Sequence, residues 1–243
     1  MPIHPIGFVA PESGTVTPPP EPPPVEGWED ALSSGFAANI RAAYDFRQMS
    51  GGTLAGIVGP SLVCDGLTPV SAGAQFTKGV SQAYSNATIA VSYPFTLVYY
   101  GKTTTATGGD SIILSTQPTK WSQTSNTNAL VFARTFQGIL PYNGSDNNSI
   151  PHVASTEDYF VAFSFLGSTV RYAVRKQSGN LNGTRTASAS SQSFNGFVGF
   201  GAGLSGQRQL TGTLGYALFI QQAFSTEGEM DSLYATLPNN FVW

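Results

Sequence analysis

The chain has 243 residues, 41% hydrophobic and only 10% charged, with a formal net charge of −3. That is enough apolar material for a sizeable core, and a charge content far below the ~25% of an average globular domain leaves Ser, Thr, Asn, Gln and Gly to carry the surface, which suits turn-rich β-structure and not helical bundles. No Lys/Arg cluster exceeds Arg171, Arg175 and Lys176, no apolar run reaches the ~18 residues of a membrane span, and Cys64 is the single cysteine, so a nucleic-acid footprint, a spanning helix and an internal disulfide framework are excluded.

In chain order, the first unit is a leader. MPIHPIGFVA lacks Lys and Arg and is broken by two prolines, so it does not read as a signal peptide. Nine of the sixteen prolines lie at or before Pro24. Pro18, Pro19, Pro20, Pro22, Pro23 and Pro24 predict polyproline II, which rises ~3.1 Å per residue and has no internal hydrogen bonds. Such an arm cannot order itself and needs something to lie against. Ile3, Ile6 and Phe8 near its tip and Trp28 at its end are the apolar anchors. All five acidic residues before Arg41 fall in this region with no basic one, which predicts a partner groove carrying Arg or Lys. The expected division is an extended arm over 1–34 and one domain over 35–243.

The texture then changes to strands. Ile40–Phe46 reads as the first, and 47–75, rich in Gly and broken by Pro60 and Pro69, as loops and short strands. Tyr93–Tyr100 is aromatic, β-branched and bounded by Pro and Gly. Ser111–Ser115 and Ala129–Thr135 follow. The clearest hairpin joins Tyr159–Phe165 to Thr169–Arg175 through Gly167: Tyr159, Val161, Phe163 and Phe165 share one face, and Val170, Tyr172 and Val174 alternate with Arg171, Ala173 and Arg175. That period of two predicts one face inside and one in solvent. Phe194–Phe200 and Leu214–Ile220 complete at least eight strands with no long helical period between them, which predicts an antiparallel sandwich. Thr226-Glu227-Gly228-Glu229 fits a capping box, and Met230, Leu233, Tyr234 and Leu237 then recur at helical spacing, predicting one short C-terminal helix whose stripe lies on the sandwich.

The closing stretch GTLGYALFIQQAFSTEGEMDSLYATLP resembles the end of concanavalin A-like, laminin G-like jelly-roll domains, where a long last strand leads through "hL[ST]xxE[IM]xxLY" into a short helix; Thr226, Glu229, Met230, Leu233 and Tyr234 occupy the matching places. Ala43–Phe46 resembles the family's first strand, Pro94–Leu97 its "PFTL" strand, and Phe160–Arg175 its central hairpin. The likeness spans about 38–238 and implies an all-β, two-sheet jelly roll. The family contains lectins, glycosidases and plain interaction domains, so fold leaves function open. With its short N-terminal extension and low-charge surface, the chain resembles bacteriophage virion proteins. This implies a non-enzymatic decoration or cement protein on the phage particle, with the capsid shell and its own copies as partners. The alternative is a carbohydrate-binding module that recognises a cell-surface glycan.

No catalytic, metal or cofactor site is expected. The family's paired-carboxylate strand is absent, Glu157 and Asp158 are adjacent and so face opposite ways, and His152 has no nucleophile elbow to serve. Asp146–Asn148 is the one dense cluster of the kind that the family's calcium sites use, and a turn explains it equally well; the glycines of Gly199–Gly203 read as turn or bulge residues lacking the Lys of a phosphate loop. Cys64 reads as a buried small hydrophobe. Glycan contact needs exposed aromatics beside amides: Trp121 near Gln123, Asn126 and Asn128 is the first candidate, and Tyr142 beside Asn143 the second.

Overall fold

The structure is a computed structural model, and it describes residues 27–103, 111–117, 131–135, 138–142, 150–151, 159–167, 169–176, 179–186, 194–201 and 210–238. The strands in chain order begin with β1 (Ile40–Asp45), β2 (Thr53–Leu54), β3 (Leu62–Asp65), β4 (Thr68–Val70), β5 (Gly73–Phe76), β6 (Gln82–Ser85), β7 (Ile89–Val91) and β8 (Phe95–Thr103). Then come β9 (Ser111–Gln117), β10 (Val131–Thr135), β11 (Gly138–Tyr142), β12 (Ile150–Pro151), β13 (Tyr159–Leu166), β14 (Thr169–Lys176), β15 (Leu181–Thr186), β16 (Phe194–Phe200) and β17 (Gly212–Ile220). Helix α1 (Glu29–Ser33) precedes them and α2 (Glu227–Thr236) follows.

The strands form two antiparallel sheets. One runs β15-β14-β13-β8-β17-β5-β4, with β1 also beside β17; the other runs β12-β11-β10-β9-β16-β6-β3-β2, with β7 beside β16. Strand β17 is long enough to serve two neighbours on one edge: Gly212–Leu214 pair with β5, and the stretch from Tyr216 to Ile220 pairs with β1. A register shift between Leu214 and Tyr216 separates the two halves, so Leu214 points between the sheets and Tyr216 away from them.

The expected strand at Ile40, the strand through Phe95, and both arms of the Gly167 hairpin are present, and Gly167 sits at φ +76, a left-handed conformation that a turn grants to glycine at no steric cost. The all-β, two-sheet sandwich with a short C-terminal helix is therefore the observed architecture.

Two buried clusters divide the interior. The first lies between the sheets and includes Tyr44, Phe46, Phe76, Leu97, Val161, Phe163, Val198 and Phe200, with Phe46 edge-on to Phe200 at 5.3 Å between ring centres. The second lies on the far side of the eight-stranded sheet, where Val98, Tyr100, Phe160, Ala162, Tyr216 and Leu218 meet Trp28 and Ala31 from the N-terminal segment and Met230 and Leu233 from α2. The molecule thus has three layers: sheet, sheet, helices. This corrects the expectation that the hairpin's second face lies in solvent. Ala162 and Ala173 are fully buried and Arg175 is 5% exposed, because α2 covers that face. Helices over one sheet explain why β8 and β17 read as near-continuous apolar runs and not as alternating ones.

Candidate functional site

The helix layer closes one outer face of the sandwich. The other outer face belongs to the nine-stranded sheet, and its residues are read from the alternation of burial. In β3, Leu62 and Cys64 are buried while Val63 is half-buried and Asp65 exposed. In β6, Ala83 and Ser85 are buried while Gln82 and Tyr84 are half-buried; in β16, Val198 and Phe200 are buried, Phe197 is half-buried and Asn195 exposed. The inward set joins the inter-sheet core. The outward set therefore forms a surface of polar and aromatic groups, with Tyr84 near its middle.

Register places these residues side by side. Val63 lies opposite Tyr84 and Asp65 opposite Gln82. On the other flank of β6, Tyr84 lies opposite Gly199, a residue with no side chain to stand beside the ring. Tyr84, Gln82 and Asp65 thus supply an aromatic body, an amide and a carboxylate within one small patch. The Gln82 side-chain oxygen is shielded from water yet accepts no hydrogen bond from any described residue. A buried acceptor left unmade costs about 1–3 kcal/mol, which a hydroxyl donated by a ligand would recover. Behind this face the sheet is held rigidly: the buried Ser85 hydroxyl accepts a hydrogen bond from the backbone N–H of Val198 at 3.0 Å. Burial pushes the Cys64 thiol up to about 11, so Cys64 is a core residue and not a nucleophile.

A second constellation fixes the root of the leader. Trp28 is fully buried, edge-on to Tyr216 at 5.6 Å between ring centres, and Tyr216 stacks on Tyr100 at 5.4 Å. The Trp28 indole N–H donates to Asp45 Oδ2 at 2.9 Å. Asp45, itself fully buried, also accepts from the Arg47 backbone N–H at 3.0 Å and from Arg47 Nε at 2.9 Å, with Nη2 at 2.5 Å completing the ion pair. Burial pushes the neighbouring Tyr216 hydroxyl well above its ordinary range, and the nearby Tyr100, Tyr234 and Asp45 push it the same way. Trp28, expected in the arm, is therefore part of this chain's own core. Gly27 lies against Pro238: a Cβ added at Gly27 would come within 3.3 Å of the proline Cβ. Both ends of the described chain lie together on the helix layer.

Of the expected glycan contacts, Trp121, Asn126 and Asn143 lie outside the described residues, as do Gln123 and Asn128. Tyr142 closes β11, its backbone opposite Val131. The arm positions Ile3, Ile6, Phe8, Pro18, Pro19, Pro20, Pro22, Pro23 and Pro24 also lie outside the described residues, as do His152, Glu157, Asp158 and Asp146–Asn148. The glycine-rich stretch after β16 begins as a bend: Gly201 has φ +67, and an added Cβ would meet the Phe76 ring at 2.7 Å. Sequence reading missed Tyr84. Gln82-Ala83-Tyr84-Ser85 carries no clean polar–apolar alternation, and four residues are too few to stand out from a loop.

No protein-family model and no curated protein matches the sequence. The fold is similar to that of solved structures. Trypanosoma rangeli sialidase superposes with a TM-score of 0.58 at 13% identity, covering 81% of this chain and 32% of that one. This chain thus spans about a third of the sialidase's length, and the likeness is one of fold. The Ruminococcus gnavus IT-sialidase CBM40 bound to α2,3-sialyllactose aligns at a TM-score of 0.42 and 17% identity over 58% of this chain and 83% of that one. The VIP36 exoplasmic/lumenal domain in its Ca2+/Man2-bound form aligns at 0.45 and 9% identity over 80% and 94%.

Proposed function

We propose that this chain is a carbohydrate-binding, lectin-like module held to a larger assembly by its N-terminal leader, and that it binds without cleaving. The observation that carries the reading is the solvent-facing side of the nine-stranded sheet, where Tyr84 presents a half-buried ring beside the Gln82 amide and the Asp65 carboxylate. A sugar has an apolar face for an aromatic ring and a rim of hydroxyls for amides and carboxylates, so this trio suits it. In most glycosidase families hydrolysis uses two carboxylates flanking the bond, ~5–9.5 Å apart. Among the described carboxylates, Asp45, Glu229 and Asp231 are committed elsewhere, to Trp28 and Arg47, to the cap of α2 and to Arg175.

The test is a glycan screen followed by calorimetry on wild type and Tyr84→Ala. The expected result is saturable sugar binding that weakens about tenfold or more in the variant, with an unchanged melting curve. A screen without hits overturns the reading; hits that Tyr84→Ala and Asp65→Asn leave untouched overturn the site.

We propose a second role alongside the first, that of a phage-particle decoration protein attached through the leader. The leader's root is locked into the core at Trp28, on the layer opposite the open face. Pull on the leader would pass directly into the domain through Trp28. If particles still carry a protein lacking residues 1–26, this second role falls.

A further inference from the structure

Arg171 differs from the other described arginines. Arg47 and Arg175 are each matched to a carboxylate, Asp45 and Asp231, and Arg41 is exposed and donates to the Ala38 carbonyl at 3.3 Å. Arg171, on β14, is half-buried, and neither ion pair between described residues includes it. Its Nε is shielded from water and finds no hydrogen-bond acceptor. A charge drawn partly out of water is ordinarily paired, and a donor left unmade there is a standing cost.

Register shows what stands around it. Arg171 lies opposite Ser164 on β13 and opposite Thr184 on β15. Val170 and Tyr172 point between the sheets, so Thr169, Arg171 and Thr184 share the helix-side face. Toward β13 that face is occupied: the Ser164 hydroxyl accepts from the Phe224 N–H at 2.7 Å and meets the Thr96 hydroxyl at 3.1 Å. Toward β15, Thr184 is exposed. Helix α2 does not run over this point. Its first residue, Glu227, is tied to Asn182, opposite Ala173, and Asp231 is tied to Arg175, so the helix advances along β14 away from Arg171.

We infer that Arg171 binds a single carboxylate of a ligand, at a site separate from the Tyr84 face and independent of the glycan reading. The guanidinium offers two parallel N–H donors that match the two oxygens of a carboxylate. Thr184, with its Cβ about 5 Å from that of Arg171, and Thr169, one step along the same face, add hydroxyl donors. The surrounding charge limits the class further. Glu227 and Glu229 open α2, each held by its own hydrogen bonds, to Asn182 and to Ser225 and Thr226. One cation beside two anions repels a polyanion or a dianion and tolerates a planar monoanion that makes both hydrogen bonds.

Titration of the full chain with sodium acetate and with sodium glucuronate, at an ionic strength held constant with sodium chloride, tests this. The readout is the side-chain Nε–H signal of Arg171 in nitrogen–proton correlation spectra. A saturable shift is expected with both probes. Tighter glucuronate marks a sugar acid as the source; equal affinities mark the carboxylate as such. Arg171→Lys, which keeps the charge and loses the fork, should bind acetate at least about tenfold more weakly, and Arg171→Gln should not bind, both read by melting-temperature shifts. Without ligand, Arg171→Gln should melt no lower than wild type, because the charge it removes has no partner. No saturation with either probe overturns the inference, as does undiminished binding by Arg171→Lys or tighter binding of inorganic sulfate than of acetate. A ligand-free Arg171→Gln that melts well below wild type also overturns it, since the guanidinium would then serve the fold.

Discussion

Trp28 serves the fold in two ways that can be separated by substitution. Its ring fills the second core beside Tyr216, and its indole N–H is one of the donors that hold the buried Asp45 carboxylate. Trp28→Ala should lose both, costing about 3–5 kcal/mol in urea unfolding, as large-to-small aromatic changes in cores do. Trp28→Phe keeps most of the ring and removes one hydrogen bond to a charged group, for about 1.5–3 kcal/mol. Equal losses in the two variants would mean that the N–H, not the ring, carries the contribution. From sequence, Trp28 was legible as an apolar anchor but not as to what it anchors, since its partner Asp45 is brought to it only by folding.

At the scale of elements, α2 is the most legible and the most tightly tied. Its cap forms as the Thr-x-x-Glu spacing predicts: Glu229 N–H donates to Thr226 Oγ1 at 3.2 Å, and Glu229 Oε2 accepts from the Ser225 hydroxyl at 2.9 Å and the Thr226 N–H at 2.8 Å. Those hydrogen bonds hold the Glu229 carboxyl below its usual value, the Ser225 hydroxyl first among them. A folded-state pKa below the unfolded one stabilises above the ordinary carboxylate range and is lost as pH falls through the depressed value. Melting curves of wild type and Glu229→Gln should therefore differ near neutral pH and converge on acidification through and below about pH 4. A gap that persists unchanged in acid would overturn this account. Further along, Arg175 donates from Nε to Asp231 Oδ1 at 3.0 Å and from Nη1 to Asn182 Oδ1 at 2.7 Å, while the Asn182 amide donates to Glu227. This clamp fastens α2 to β14 and β15, and it turns the hairpin's second face into an interior. Alternation in the sequence shows that two faces exist; it cannot show that a helix from far along the chain will cover the second.

For the whole molecule, the three layers separate two tasks. Gly27 and Pro238 lie together on the helix side, and the outer face of the nine-stranded sheet lies on the opposite side. Trp28 and Ala31 are buried in the second cluster, which predicts a working boundary of the domain before Trp28. A protein spanning 27–243 should melt about 10 °C above one spanning 35–243, given about 3–5 kcal/mol for the lost packing and 2–4 °C per kcal/mol at this size. Equal melting temperatures would restore the boundary at residue 35.

By itself the sequence determined the class of fold, the main strands, the hairpin at Gly167 and the capped last helix. Each of these is set by period, turn residues or cap spacing within a few residues of itself. Which face of which sheet the helices cover, that Trp28 is buried beneath them, and that Tyr84, Gln82 and Asp65 meet beside Gly199 were decided only in the tertiary structure. The reason is that pairing between strands distant in sequence sets the register, and a shift of one residue in register would have turned every one of those side chains into the core.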